Sequence, residues 1–344
     1  MQLENKKMLD MNSTNFQSPT PSRVLNSMLS STMPVLRQKS KLQSISSPYS
    51  RGCCSPSFGS PSRLQAVFKH LTWREVKGHL RSVIGKGGFG EVYKANIQGF
   101  SLAVKKLRYT MMNKNTVTKS LKSEKLALTL KHRNIVSTYY VNDSSDPAFI
   151  VMEYVGSQTL QHLIDSDNIT PSRVQQFSCD IASALHYIHQ LNVVHLDVKP
   201  SNILITAYYL AKLGDFGCSQ MVQWEEAEDG FSPTNRIDLT GTVAYRAPEL
   251  LRGFAPTLKA DIYAFGILLW QMVSRKYPYL GKDSHMVIFA VVAQGLRPSV
   301  SSIENSNKKL VALCEDCWSA DPTLRPDAQS LLHSLTVMNR NDNT

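Results

Sequence analysis

Apolar and polar positions follow two regimes along this chain. From residue 79 to 107 the apolar residues fall in short runs, "HLRSVIG", "EVYKANI" and "SLAVKKL", with turns between them. That spacing predicts an antiparallel sheet. "TKSLKSEKLALTLKH" then reads as a helix, with Leu121, Lys125 and Leu128 on one face and Glu124 at its border. "AFIVMEYV" reads as another strand. Beyond it the period changes. In "PSRVQQFSCDIASALHYIHQL", Val174, Phe177, Ile181, Leu185 and Ile188 recur at spacings of 3, 4, 4 and 3, one face of an amphipathic helix. "KADIYAFGILLWQMV" and "KKLVALCEDCWSA" continue the helical pattern. The expected class is α+β and bilobal: a small antiparallel-sheet lobe with one helix over residues 73–152, then a larger, mainly helical lobe over 155–337.

The first 63 residues differ, with 15 Ser, 6 Pro, three aromatics and no Trp. Such a segment buries too little apolar area to offset its ordering entropy. Residues 1–72 are therefore expected to be a disordered tail, with 338–344 a short C-terminal one. Ser-Pro and Thr-Pro pairs in the tail are candidate sites for proline-directed kinases. Of the formal net charge of +11, +6 sits in residues 1–63. No basic stripe with interleaved aromatics remains, which argues against nucleic-acid binding. No apolar run reaches the roughly 18 residues of a membrane span, and the N-terminus lacks the apolar core of a secretory signal. The six cysteines show no two-plus-two zinc spacing, and Cys314 and Cys317 read as two helix positions. These features lead to the expectation of a soluble, cytoplasmic, monomeric protein with no membrane or nucleic-acid partner.

The chemistry concentrates in a few segments. In "IGKGGFGEV", Gly85, Gly87 and Gly90 follow a strand. Glycines let the backbone approach a polyphosphate closely. A dinucleotide site would pass from these glycines into a helix. Here "EVYKANI" reads as a second strand, with Val92 placed to cover a base, which favours a flap over ATP. Lys105, on an apolar strand, needs an anionic partner, and Glu124 on the next helix is the candidate. Together they would orient the lysine toward the α- and β-phosphates. In "VVHLDVKPSNILI", Asp197 can accept or orient the proton of an attacking hydroxyl, and Lys199 can neutralise the transferring phosphate. Asn202 and Asp215 offer oxygens to Mg²⁺.

Taken in order, G-x-G-x-x-G-x-V, A-V-K, a helix Glu, H-x-D-x-K-x-x-N, D-F-G and A-P-E resemble the eukaryotic protein kinase family. The resemblance spans roughly residues 73–337. It implies that ATP lies against Ile84, Gly85, Lys86, Gly87, Gly88, Phe89, Gly90, Val92, Ala103 and Lys105. Met152 is then the gatekeeper, and Glu153, Tyr154 and Val155 form the hinge. It further implies that Glu249 pairs with Arg325 and that Asp261 anchors the catalytic loop. Lys199 and "GTVAYRAPE" are similar to the serine/threonine branch, with Thr242 near Asp197. "HLDVKPSNILIT", "DFGCSQ" and "AVVAQGLRPSV" resemble the Mos family within it, which also has Leu where most kinases carry Arg before the catalytic Asp. That resemblance implies a mitogen-activated protein kinase kinase as protein substrate and a role in oocyte meiotic arrest. The chain departs from that family's usual Met-Pro-Ser opening: it begins Met-Gln and carries "MPVLRQK" at Met33. Two rivals stand beside this reading. A pseudokinase scaffold would lack one of Lys105, Asp197, Asn202 or Asp215, and the chain keeps all four. A Raf-like or mixed-lineage kinase would carry regulatory domains that a 72-residue Ser/Pro tail does not accommodate.

Overall fold

The computed structural model describes residues 68, 71–87, 90–107, 114–144, 147–222, 242–303 and 308–341, with the backbone alone at 114–117 and 341. Expectations for residues 1–67, for Gly88 and Phe89, for 223–241 and for 342–344 lie outside the described residues.

Helix α1 (Trp73–His79) starts at a capping box. The Glu75 amide donates to the Thr72 hydroxyl, and the Glu75 carboxylate accepts from the Thr72 amide at 2.7 Å. Five antiparallel strands follow the sequence pattern: β1 (Leu80–Gly87), β2 (Gly90–Ile97), β3 (Phe100–Leu107), β4 (Thr138–Asn142) and β5 (Phe149–Glu153), in the order β1-β2-β3-β5-β4. Phe68 is fully buried with Val76, Ala95, Leu102 and Phe149 under this sheet. Phe68, inside the expected tail, is thus packed into the core under the sheet.

Helix α2 (Lys114–Ala127) starts before the expected segment at Thr118 and stops short of its end at His132. It closes through three i→i−3 bonds, from the amides of Leu128, Thr129 and Leu130, and the Thr129 hydroxyl donates to the Leu126 carbonyl. Its buried face is Ser120, Leu121, Glu124 and Ala127, and Lys125 is exposed. This corrects the reading that put Lys125 inside and Glu124 at the border. A buried cation on β3 draws the acid inward.

The second lobe holds α3 (Leu160–Asp165), α4 (Pro171–Gln190), α5 (Pro248–Leu251), α6 (Lys259–Ser274), α7 (Ser284–Ala293), α8 (Lys308–Cys317) and α9 (Ala328–Asn341). Short strands β6 (Val193–Val194), β7 (Ile203–Ile205), β8 (Ala211–Leu213) and β9 (Gln220–Met221) pair as β6-β9 and β7-β8. On α4, Thr170 caps the N-terminus and Pro171 takes the first turn, where its missing N–H costs nothing. Val174, Phe177, Ile181, Leu185 and Ile188 are all buried. Helix α6 is buried all round from Ala260 to Met272. Gly266 makes this possible, since a Cβ there would stand 2.8 Å from the Cys317 Cβ on α8. Cys314 and Cys317 are both buried helix positions, and burial pushes their thiols above the usual range. Among the described residues no helix is long and apolar enough to cross a membrane.

Arg325, 1% exposed, joins the helices of this lobe. Its guanidinium grips Glu249 with bonds of 2.6 and 2.8 Å and also donates to the carbonyls of Ser319 and Lys259. Arg325→Leu leaves the Glu249 carboxylate buried without its cation. Denaturant unfolding of this variant should show a loss of about 3–5 kcal/mol, largely restored in Glu249→Leu/Arg325→Leu. A loss under about 1 kcal/mol would show that water reaches Glu249 instead.

Candidate active site

The central strand of the sheet supplies the first part of the site. Strand β3 alternates inward and outward, and it turns Lys105 toward α2. Its Nζ lies 3.0 Å from Glu124 Oε1 and 2.7 Å from Asp215 Oδ1. Burial alone would pull the ammonium down, but the carboxylates of Asp215 and Glu124 outweigh it and hold the lysine above its usual range. Burial pushes the Glu124 carboxyl up by more than Lys105 draws it down. Asp215 is also disfavoured by burial, yet the Lys105 charge and hydrogen bond keep it below the usual carboxylate range. A third of the Asp215 side chain remains exposed. Its Oδ1 is engaged by Lys105 and the Gly217 amide, and its Oδ2 takes no hydrogen bond among the described residues.

The β1–β2 hairpin arches beside this cluster. Gly90 is required by the fold: at φ 149° a Cβ would lie 2.0 Å from the Lys106 carbonyl oxygen. Gly85 and Gly87 are different. Their φ values are ordinary, a Cβ on Gly85 would make only normal contact with Val92, and one on Gly87 would meet nothing within 4 Å. Packing does not demand glycine at either position. A glycine at either position leaves the backbone open to close approach by a phosphate. Lys86 pairs with Glu91 across the hairpin at 3.7 Å. Ala103 is buried and sits opposite Met152 in the β3–β5 register, while Ile84, Val92, Met152 and Val155 are half-buried. The Glu153 carboxylate is committed elsewhere, to Lys212 on β8 at 2.7 and 2.8 Å and to the Ser137 amide. Its amide is committed as well, donating to the Ser137 carbonyl at 2.8 Å, so neither the side chain nor the N–H of Glu153 is left for a ligand at the hinge.

The loop between β6 and β7 carries the second part. Asp261, fully buried on α6, accepts from the amides of His195 at 2.8 Å and Leu196 at 2.9 Å, and from His189 Nε2 at 2.9 Å. Leu196 stands at φ 65°, a left-handed conformation that costs an ordinary residue roughly 1 kcal/mol. The Asp261 bonds hold it there, and this aims Asp197. Asp197 Oδ2 accepts from Asn202 Nδ2 and Lys199 Nζ, each at 2.8 Å. Its Oδ1 takes no bond among the described residues. Lys199 also donates to the Thr242 hydroxyl at 3.1 Å. Asn202 uses its amide hydrogens on Asp197, which leaves its Oδ1 as an open acceptor. His195 Nε2 donates to the Gly214 carbonyl, and its ring meets Phe216 edge-on, which ties this loop to the Asp215 turn.

Asp197, Lys199 and Asn202 therefore form one cluster, and Lys105, Glu124 and Asp215 another, joined through His195 and Gly214. The open oxygens of Asn202 and Asp215 are hard donors of the type a divalent cation takes. Three participants escaped sequence reasoning. They are Lys212 behind the hinge, Lys94 stacked 4.5 Å over the Tyr154 ring, and Gln271, which accepts from the Tyr245 hydroxyl and donates to Gln161. Each pairs across 26 to 110 positions or through space, where no periodicity signals it.

Residues 79–336 match the protein kinase domain. The chain is 44% identical over 269 residues to a serine/threonine-protein kinase mos of Patiria pectinifera, covering 76% of this chain and 75% of that one. It is 36% identical over 314 residues to the kinase of the same name from Gallus gallus, covering 82% and 88%, and 38% over 277 residues to that of Xenopus laevis, covering 77% and 76%. A protein kinase domain implies ATP, a divalent metal and a protein substrate. The chain belongs to the protein kinase family, as an ATP-dependent serine/threonine kinase of the Mos type.

Proposed function

We propose that this kinase transfers the γ-phosphate of Mg²⁺-bound ATP to serines of a mitogen-activated protein kinase kinase, within a cytoplasmic cascade that holds oocytes in meiotic arrest. The observation that carries the chemistry is the open Oδ1 of Asp197 beside the Lys199–Thr242 pair. The substrate reading rests on the likeness of "HLDVKPSNILIT" and "DFGCSQ" to the Mos family.

In this reading Asp197 Oδ1 receives the hydroxyl proton of the incoming serine, while Asn202 and Lys199 fix the carboxylate through Oδ2. Lys199, steadied by Thr242, balances charge on the phosphoryl group in flight. Lys105, held by Glu124, steadies the α- and β-phosphates. The Gly85–Gly90 hairpin covers them. Ile84, Val92, Ala103 and Met152 enclose the base, and the backbone of Glu153 and Val155 meets its edge. Asn202 and Asp215 hold Mg²⁺, which when bound shields the phosphate oxygens. The direct test incubates purified protein with Mg-ATP and a catalytically dead kinase kinase, then maps the modified residues. Phosphate on its activating serines is the expected result; its absence, with other proteins phosphorylated, would sink the substrate assignment.

Leu196 makes a further prediction about control. An arginine at this position grips a phosphate on the activation segment. Leu196 has no donor and packs against the core of the helical lobe. Gln220, which pairs with Val194 in the β6–β9 ribbon, is neutral as well. A phosphate on the segment would lack that arginine as its receiver, so activity should follow protein abundance. Ser232→Ala/Thr234→Ala, and phosphatase treatment of the pure enzyme, should leave kcat within a few-fold. A collapse reversed by rephosphorylation at either residue would show that another cation has taken the arginine's place.

A further inference from the structure

Strand β2 has two faces. Ala95 and Ile97 point away from the cleft, into the cluster that holds Phe68. Val92 and Lys94 lie on the other face, because side chains alternate along a strand. The register sets Lys94 opposite Ala103 on β3, so the two side chains share the cleft face. Ala103 in turn sits opposite Met152 on β5. A lysine thus stands in the roof over the base pocket, two residues beyond Val92. It is not at the phosphate end of the site. Lys105 is opposite Val92, which puts Lys94 two positions, or about 7 Å, further along the strand.

A surface lysine usually extends into water. Lys94 is half-buried instead, with its ammonium 4.5 Å from the centroid of the Tyr154 ring, a cation–π contact. Tyr154 is the first residue after β5. Its neighbour Glu153 is fixed by Lys212 on β8, and its amide donates to the Ser137 carbonyl. Consecutive residues of the connector between the lobes are therefore held by two lysines, Glu153 by one from the helical lobe and Tyr154 by one from the sheet. The first contact anchors the connector, and the second ties the roof to it.

We propose that Lys94 is a positioning residue for the nucleotide: stacked on Tyr154, it clasps the β1–β2 roof to the hinge and sets the width of the slot that takes the base. This rests on the placement of the base between Val92, Ala103 and the hinge given above. A slot already at its final width leaves less ordering for binding to supply. A gain of that kind appears mainly as slower dissociation.

The test follows release of a fluorescent ADP by stopped flow and measures the affinity of adenosine by calorimetry, on the full chain. Lys94→Met keeps the aliphatic stem and removes the cation. It should speed ADP release by about three- to tenfold, the range of one partly desolvated cation–π contact, with association changed by less than about twofold. Adenosine affinity should fall by the same factor, although adenosine carries no charge. The KM for ATP should rise with kcat no lower, a split that general loosening of the lobe does not produce. Lys94→Arg and Tyr154→Phe keep the contact and should release ADP as slowly as the wild type. Tyr154→Leu should match Lys94→Met, and the double variant Lys94→Met/Tyr154→Leu should be no worse, since one contact cannot be lost twice.

A loss confined to ADP, with adenosine unaffected, would make Lys94 a phosphate contact and overturn the clasp. Fast release in Lys94→Arg, or additive losses in the double variant, would overturn it as well. Val92→Ala separates the clasp from the placement of the base, because it should weaken adenosine binding whatever Lys94 does. If it does not, the base does not lie under β2, and the clasp falls with that placement. If Val92→Ala weakens adenosine binding and Lys94→Met does not, the clasp alone is overturned.

Discussion

Lys105→Met should lower kcat at saturating Mg-ATP by at least about 100-fold, the usual loss when one preorganised charge at the reacting phosphates is removed. The structure adds a consequence for stability. Lys105 is 4% exposed and lies between two carboxylates. Methionine in its place leaves the buried Glu124 carboxylate, with the partly exposed Asp215 close by, without its cation, at a cost of about 3–5 kcal/mol near neutral pH. The burial that already raises Glu124 then acts without the opposing ammonium, so the native variant binds a proton more tightly than the unfolded chain does. Stability must therefore fall as pH rises through the window between the unfolded carboxylate value and the raised native one. Unfolding at several pH values, set beside kinetics, checks both halves. Near-wild-type turnover would remove Lys105 from the chemistry, and a pH-independent stability loss would mean that the two carboxylates are solvated.

Asp197→Asn should separate chemistry from structure more cleanly. Asn202 and Lys199 both donate to Oδ2, and an amide oxygen can accept both bonds, so the loop has little reason to move. The other atom becomes an NH₂ where a proton acceptor is required. Turnover should drop by about 10²–10⁴-fold, the range of a lost general base. ATP affinity should hold, because the Lys105 cluster is untouched, and unfolding stability should change by less than about 1 kcal/mol. Retained turnover would show that Asp197 only positions the loop. Lost ATP binding would show that the two clusters are coupled through His195.

Several features of the chain were legible without coordinates, because each is decided within a few residues or within one helical turn. The spacing of Asp197, Lys199 and Asn202 puts three polar groups on one short loop, and Gly85, Gly87 and Gly90 mark a hairpin open to phosphate. The apolar stripe of α4 names its own buried face. The same local rules misjudged α2. Its composition does not distinguish Glu124 from Lys125 as the inward residue, and the choice falls to Lys105 on another element. They also placed the start of the fold too late, since Phe68 is recruited by a sheet whose other members lie up to Val151.

By itself the sequence determined the two-lobed alternation of strands and helices, the chemical inventory of the cleft and the presence of Leu, not Arg, before Asp197. Tertiary structure decided which of those groups meet. Lys105 reaches Asp215 across 110 residues, Lys212 reaches Glu153 across 59, and Asp261 holds Leu196 in a left-handed turn from 65 residues away. It also decided that Met286 and Phe289 stay outside, although "SHMVIFAVVA" is apolar on almost every face. Hydrophobic period and residue type record which side chains favour burial or charge pairing. The identity of the partner depends on how the elements dock, and that is set by packing and electrostatics summed over residues far apart in the chain.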